Sequence, residues 1–431
     1  MPSSLPDIAT LSLAKQVAQM VVVRTTGYLF NHQIQYPAWE APAETLKSWL
    51  GELGVGGVIL LGGSAGEISL RTQQLQEWAQ IPLLMAADIE EGVGQRFSGA
   101  TWFPPPMAIG AIAHQDLNQA KAYAQAMGAV TACEALAIGL NWVLAPVADV
   151  NNNPANPVIN VRAFGATPDI VSQLVTAFIQ GAQQQAVLTT AKHFPGHGDT
   201  AVDSHLELPI LPHNQDRLAQ IELPPFQAAM QAGVDAIMTA HLKIPALDPH
   251  FPATLSQPIL TQTLRQQLTF EGLIVTDALV MGAITNRYGA NEAAVLAVEA
   301  GADVLMMPAD PEGAIQAICE AVAAGRITPD RIQTSVARIW RAKLKACFPD
   351  LAGSADLNSP ASSHAWENLP SPPIQLHHIA QPGAIALATQ ILQNSMQVGA
   401  KEKGEGEQGS RGEQFELTAK INQTKAKIAL G

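Results

Sequence analysis

The segment from Ala191 to His205, AKHFPGHGDTAVDSH, concentrates side chains that could do chemistry. It follows a short apolar run and contains a Pro-Gly break, so it is predicted to leave the end of a strand as a loop. Imidazole and carboxylate groups at this spacing could bind a metal ion, line a phosphate loop or act as a general acid and base. The side chains concerned are His193, His197, Asp199, Asp203 and His205.

A metal site is the first alternative, because His193 and His197 are four residues apart and would share one face of a helix. Pro195 and two neighbouring glycines interrupt this window and disfavour a helix. A phosphate loop needs several glycines, normally with a Lys-Ser/Thr pair beside them, and one Gly-His-Gly does not supply these. We therefore predict no metal and no cofactor.

Asp203 and His205 favour acid–base chemistry, since they stand two residues apart in the same loop. A carboxylate beside an imidazole orients the ring, holds one tautomer and raises the pKa of the ring towards neutral pH. Any Asp–His pair would do the same, so a structural histidine remains an alternative on the residues alone.

Eight short apolar runs recur along the chain, with amphipathic segments between them. Because these runs do not alternate polar and apolar residues, they are typical of strands buried on both faces of a parallel sheet. They predict an α/β fold, a (β/α)8 TIM-type barrel, with an open doubly wound sheet as the alternative. The runs are residues 20–24, 55–61, 82–88, 140–147, 186–193, 235–241, 272–278 and 302–308.

Several of these runs end in charged or polar side chains. The carboxyl ends of parallel strands open on one face of a barrel, where a charged group costs little free energy. We therefore expect these side chains to form a site on that face. They are Asp88, Lys192, His193, His241 and Asp277.

The motif KHFPGHGDTAVDSH, with VTDALVMGA at 275–283, resembles the bacterial β-N-acetylglucosaminidases of glycoside hydrolase family 3. The resemblance covers about residues 10–345 and departs from the family pattern at Glu91, where a glycine is usual. Further matching blocks are residues 87–97, 103–111, 144–165 and 238–248.

The resemblance implies a retaining exo-acting hydrolase that removes β-linked N-acetylglucosamine from small carbohydrates, as in peptidoglycan recycling. It implies Asp277 as the nucleophile, His205 as the acid/base and Asp203 as the carboxylate supporting His205. An ion pair with a neighbouring carboxylate is the alternative for Arg162, and strand capping is the alternative for Asp277. A phosphorylase and a non-catalytic sugar-binding protein are the rival functions. The implied sugar-binding positions are Asp88, Arg96, Arg162, Lys192 and His193.

Composition narrows the expected partners and location. The 431 residues are 47% hydrophobic, which suffices for a large core, and the net charge of −13 argues against nucleic acid or an anionic membrane as partner. No apolar run is long enough to span a membrane, and the first 20 residues show no signal-peptide pattern. The three cysteines are widely separated, as free thiols of a reducing compartment are, so we expect a cytoplasmic protein.

The domain boundaries follow from where the barrel pattern fades. The catalytic barrel is predicted over residues 1–348, a Ser- and Pro-rich linker over 349–376, and a short C-terminal extension over 377–431. In that extension we expect a helix at 383–398 and disorder over 401–414. The extension resembles the opening of a second α/β domain found in some relatives, and we interpret it as incomplete.

Overall fold

The computed structural model describes residues 5–201, 208–348 and 374–405. Eight parallel strands, β1 to β8, form a barrel in which each strand from β1 to β7 lies beside the next in the sequence, and β8 pairs with β1. A parallel bridge between Val275 and Val304 joins the last two strands. The strands are Val21–Thr26, Gly57–Leu61, Leu84–Ala87, Trp142–Val143, Leu188–Phe194, Ala236–Thr239, Leu273–Val275 and Leu305–Met306.

The barrel confirms the predicted fold class, because each strand overlaps its predicted apolar run. All eight strands are buried along nearly their whole length, as expected for a sheet covered on both faces. Their order around the barrel excludes the open doubly wound sheet, in which the strand order would reverse.

Helices cover the outside of the barrel. Of the three π-helical segments among the described residues, Trp49–Leu53 lies in the connection after β1, and Leu218–Glu222 and Pro258–Gln267 lie in the connections after β5 and β6. The α-helices are α1 Leu13–Gln19, α2 Ala43–Ser48, α3 Ala65–Trp78, α4 Pro106–Ala113, α5 Leu117–Ala137, α6 Pro168–Ala182, α7 Gln215–Arg217, α8 Pro224–Gln231, α9 Gly282–Tyr288, α10 Ala290–Ala300, α11 Pro311–Ala323, α12 Pro329–Cys347 and α13 Pro382–Glu405.

Local sequence explains where several helices begin. Ser64 caps α3 by accepting from the Glu67 backbone N–H, and the Glu67 carboxylate accepts from the Ser64 backbone N–H, so two amide groups that the first turn leaves open are satisfied. Asp116 and Thr328 cap α5 and α12 through side-chain oxygens alone, each accepting from the backbone N–H three residues further on. The termini of these helices are therefore set locally, before any packing on the barrel.

Two glycines bring α5 and α6 into close contact. A Cβ at Gly128 would lie 2.1 Å from the carbonyl oxygen of Phe178, and one at Gly181 would lie 1.8 Å from that of Gln125. Any larger residue at either position would force the two helices apart.

Among the helices described, none is long and apolar enough to cross a lipid bilayer.

The C-terminal helix α13 packs on the barrel. Ile391 is fully buried, and Asn394 Nδ2 donates to Tyr123 Oη of α5 at 2.8 Å. The helix starts one residue before the predicted 383 and continues to Glu405, so residues 401–405 are helical where we expected disorder. Lysine and glutamate are good helix formers, which accounts for this extension. Most of the predicted linker, 349–373, and the remainder of the tail lie outside the described residues.

Candidate active site

Lys192 is the centre of an ion-pair network at the carboxyl end of β5. Its Nζ lies 2.7 Å from Asp88 Oδ1 and 2.6 Å from Glu90 Oε1. The Lys192 side chain is 1% exposed, whereas that of Asp88 is 27% exposed. Burial disfavours the ammonium, but attraction by Asp88 and Glu90 outweighs it and raises the pKa of Lys192. Asp88 therefore presents an accessible carboxylate that a buried cation holds in place.

Arg162 forms a bidentate ion pair with Glu90. Its Nε and Nη2 donate to the two oxygens of Glu90, each at 2.8 Å, and its Nη1 donates to the carbonyl of Val158 at 3.1 Å. Burial would raise the pKa of Glu90, but Arg162 and Lys192 hold that pKa well below its usual value. The alternative that we gave for Arg162, an ion pair with a nearby carboxylate, is thus observed, and Arg162 also stands beside the sugar-binding candidates.

His193 is oriented by Asp149, a fully buried carboxylate that follows β4. Asp149 Oδ2 lies 2.7 Å from His193 Nδ1, and both its oxygens accept from the His193 backbone N–H. Arg162 Nη2, which can only donate, lies 3.5 Å from His193 Nε2. This arrangement favours the tautomer with the proton on Nδ1, leaving Nε2 as an acceptor. Burial opposes ionisation of Asp149, but His193 and His197 keep its pKa lowered.

Asp277 lies two residues beyond the end of β7, with Oδ1 accepting from the N–H of Ala278 at 2.7 Å. His241, beyond β6, lies beside it, since its Nε2 is 3.0 Å from the carbonyl oxygen of Ala278. Burial lowers the pKa of His197 to about 4, although Asp149 and Asp277 oppose this shift.

Two candidate residues, Asp203 and His205, lie outside the described residues.

Arg96 does not contact the carboxylate of Asp88: its Nε donates instead to the backbone oxygen of Asp88 at 3.0 Å. The departure at Glu91 is accommodated locally, because its carboxylate accepts from the indole of Trp102 at 2.7 Å. The positive φ of this turn falls on the next residue, Gly92, at 86°.

Glu90 and Asp149 were missed as site residues in the sequence analysis. Both stand in blocks that carry the family resemblance, and Glu90 is two residues beyond Asp88 at a strand end. That position was the available signal. Their roles depend on side chains from other strands, which no local pattern reveals.

The arrangement can bind hydroxyl groups and stabilise developing positive charge. Three carboxylates face the two permanent cations of the network, so its formal charge is −1 before Asp277 is counted. Fixed, partly buried negative charge favours a transition state that becomes cationic, as a glycosyl centre does when its leaving group departs. The three carboxylates are Asp88, Glu90 and Asp149.

Comparison with known proteins assigns the barrel to a family. The pattern of the Glycosyl hydrolase family 3 N terminal domain matches residues 12–342, which takes in the whole barrel. The chain belongs to glycosyl hydrolase family 3. The match places the site described above inside the family's own domain.

Two curated relatives and two solved structures show the extent of the similarity. The beta-hexosaminidase A of Pseudoalteromonas piscicida is 37% identical over 309 residues. The alignment covers 66% of this chain but only 51% of the length of that relative. The beta-hexosaminidase of Nitrosomonas eutropha is 32% identical over 317 residues, covering 73% of this chain and 86% of the relative.

Among solved structures, a glycoside hydrolase family 3 beta-N-acetylglucosaminidase from Paenibacillus sp. str. FPU-7 has a TM-score of 0.74 and 34% identity, covering 90% of this chain and 69% of that one. The beta-glucoside phosphorylase BglX has a TM-score of 0.71 and 27% identity, covering 89% and 64%.

Proposed function

We propose that the protein is a retaining exo-β-N-acetylglucosaminidase. The observation that carries the proposal is the partly exposed carboxylate of Asp88, fixed by buried Lys192 on the barrel face where Asp277 also lies. Carboxylate acceptors backed by Lys and Arg donors suit the hydroxyl groups of a sugar. The beta-hexosaminidase and beta-N-acetylglucosaminidase relatives named above support an N-acetylated sugar.

The proposed chemistry has two steps. In the first, an Asp277 oxygen attacks the anomeric carbon, the bond to the aglycone oxygen breaks, and the His205 imidazolium gives its proton to that oxygen. In the second, His205 takes a proton from water, the resulting hydroxide attacks the anomeric carbon, and Asp277 leaves as a carboxylate. Asp203 supports the ring throughout. An imidazole that has lost its proton is neutral, so it adds no negative charge beside the ester.

The test compares an aryl β-N-acetylglucosaminide with the matching β-glucoside, using the wild type and Asp277→Asn. We expect the wild type to prefer the N-acetylated substrate and Asp277→Asn to lose more than about a thousandfold in kcat. A mechanism-based fluoro-sugar should label Asp277, as mass spectrometry of the peptides would show. The exposed carboxylate of Asp330, changed to Asn, serves as the control. A label on another side chain would remove Asp277 as the nucleophile.

A phosphorylase is the second candidate, because one solved structure with a similar fold, at 27% identity, is a beta-glucoside phosphorylase. A neutral imidazole would not repel an attacking phosphate as a carboxylate base would. Product analysis in phosphate buffer decides between the two, since sugar 1-phosphate supports the phosphorylase and free sugar supports the hydrolase.

Peptidoglycan recycling in the cytoplasm is the setting that we propose for the hydrolase. All three cysteines are free thiols, which suits a reducing compartment. Muropeptide fragments should then be cleaved with a higher kcat/KM than chitin oligomers of the same length. The reverse preference would favour a role in chitin degradation.

A further inference from the structure

The chain is anchored on both sides of the segment that carries Asp203 and His205. On the N-terminal side, Asn156 Nδ2 donates to the carbonyl oxygens of His197 at 2.8 Å and Gly198 at 3.0 Å. On the C-terminal side, the backbone of Lys243 exchanges two hydrogen bonds of 2.8 Å with Pro209 and Leu211. Both flanks are therefore held by neighbouring loops of the barrel.

A charged cluster joins these two flanks directly. His213 Nε2, from the C-terminal flank, lies 2.8 Å from Asp199 Oδ2 on the N-terminal flank. Arg217 Nη2 lies 3.4 Å from the same oxygen and 3.1 Å from Glu222 Oε1. The Glu222 side chain is 3% exposed, whereas those of the other three residues are about a quarter exposed. The cluster thus runs from a buried carboxylate to the edge of the solvent.

Local structure places the cluster against the Gly-His-Gly turn. Asn214 caps α7, which holds Arg217, and the adjoining π-helical segment ends at Glu222. Gly196 has a φ of 131°, and a Cβ on it would meet Glu222 Cβ at 2.7 Å. Glu222 therefore packs directly on the turn that leads to Asp199.

We propose that Asp199, His213, Arg217 and Glu222 act as positioning residues that fix the two flanks of this segment relative to each other, and so set the rate of leaving-group protonation. This inference rests on the proposed roles of Asp203 and His205. Asp199 is four residues before Asp203, and His213 is eight residues after His205, so the cluster ties the chain on both sides of the pair. Proton transfer is sensitive to placement, and an error of about 1 Å can cost roughly a hundredfold in rate.

A metal ion is the rival occupant of the cluster. Ligand atoms of Asp199, His213 and Glu222 lie within 4.8 Å of one another, and Glu222 Oε2 has no hydrogen-bond donor among the described residues. Arg217, however, already supplies positive charge to both carboxylates. A cation would have to displace this guanidinium, so we infer an ion-pair cluster.

The test uses His213→Ala and His213→Gln, with Asp216→Asn as the control on the exposed side of the same helix. Each variant is assayed with two substrates. The leaving group of an alkyl β-N-acetylglucosaminide needs a proton, whereas that of a dinitrophenyl β-N-acetylglucosaminide does not. We expect His213→Ala to lose roughly ten- to a hundredfold in kcat on the alkyl substrate and less than about threefold on the other. Gln, which can still donate to Asp199, should recover most of the loss.

The outcomes separate this inference from the proposed function. If Asp277→Asn is inactive but His213→Ala loses equally on both substrates, or Gln does not rescue, the positioning role is wrong and the proposed function stands. If Asp277→Asn keeps full activity, the proposed function itself fails. Zinc titration by calorimetry should show no binding that depends on His213. Zinc binding that His213→Ala abolishes would instead make the cluster a metal site.

Discussion

Lys192 and Glu90 form a buried ion pair in which Nζ lies 2.6 Å from Oε1 and both side chains are at most 3% exposed. Glu90 also accepts hydrogen bonds from two of the three guanidinium nitrogens of Arg162, Nε and Nη2. One carboxylate thus balances two cations from separate parts of the barrel, Lys192 on β5 and Arg162 on the connection between β4 and β5. Loss of the Glu90 carboxylate should therefore weaken substrate binding and lower the free energy of unfolding.

Glu90→Gln should lower the free energy of unfolding by about 3 kcal/mol, because it leaves the partly exposed Arg162 without its carboxylate partner and the buried Lys192 with Asp88 alone. Urea unfolding at pH 7 measures this loss. The control is Glu292→Gln, which breaks a pair with Arg326 whose side chains are both more than 40% exposed, and it should cost less than about 1 kcal/mol.

The effect of Glu90→Gln should also depend on pH. The pKa of Glu90 is well below its usual value in the folded protein, so its stabilising contribution is fully present above the unfolded pKa near 4.5. That contribution is lost as the pH falls towards the folded pKa. The gap between wild type and variant should therefore be constant above about pH 5 and narrow below it. A gap that widens in acid would contradict the ion pair.

Asp149→Asn should reduce kcat/KM for an N-acetylglucosaminide by roughly tenfold or more, because the His193 ring loses the charge that orients it. Steady-state kinetics measure the change, and far-UV circular dichroism checks the fold. Asp169→Asn, at an exposed position in α6, is the matched control and should leave kcat/KM unaltered. Unchanged kinetics in Asp149→Asn would mean that His193 does not contact the substrate.

Lys343→Met should stabilise the protein at pH 7. Lys343 is fully buried and its Nζ donates to the amide oxygen of Gln19, not to a carboxylate. Burial lowers the pKa of Lys343 to about 7 from 10.5. Between these values the unfolded chain binds more protons, so wild-type stability should rise with pH by up to about 5 kcal/mol relative to the variant.

Unfolding curves for Lys343→Met and wild type at pH 7 and pH 10 test this sign. The advantage of the variant should shrink as the pH rises. Lys121→Met, at an exposed position in α5, should show a difference from wild type that does not change with pH. A wild type that loses stability relative to Lys343→Met on going to pH 10 would mean that the ammonium has a compensating charge.

Gly198→Ala should destabilise the protein by about 1–3 kcal/mol, because a Cβ at this position would lie 1.8 Å from the carbonyl oxygen of Val150. Thermal unfolding measures the loss. Gly66→Ala, where a Cβ meets nothing within 4 Å, is the control and should be neutral or stabilising in helix α3. If Gly198→Ala unfolds at the same temperature as the wild type, the backbone segments of Gly198 and Val150 can move apart at no cost in free energy.

Much of the fold could be read from local pattern. The run at 186–193 predicts β5 at Leu188–Phe194, and the run at 272–278 predicts β7 at Leu273–Val275. A strand buried on both faces needs an unbroken apolar run, so length and composition are sufficient to locate it. The residues at which strands end can also be predicted from local sequence. Because the carboxyl ends of parallel strands open on one face of a barrel, Asp88, Lys192 and Asp277 were expected on one face.

Chain order could not show which charges would meet there. Glu90 stands 102 positions before Lys192 and 72 before Arg162, and it meets them because barrel closure brings the ends of separate strands together. The same holds for Asp149 and His193, which lie 44 positions apart. Local propensity acts over a few residues, whereas ion pairing acts through space. The candidate residues could therefore be named from the sequence, but their partners follow only from the folded barrel.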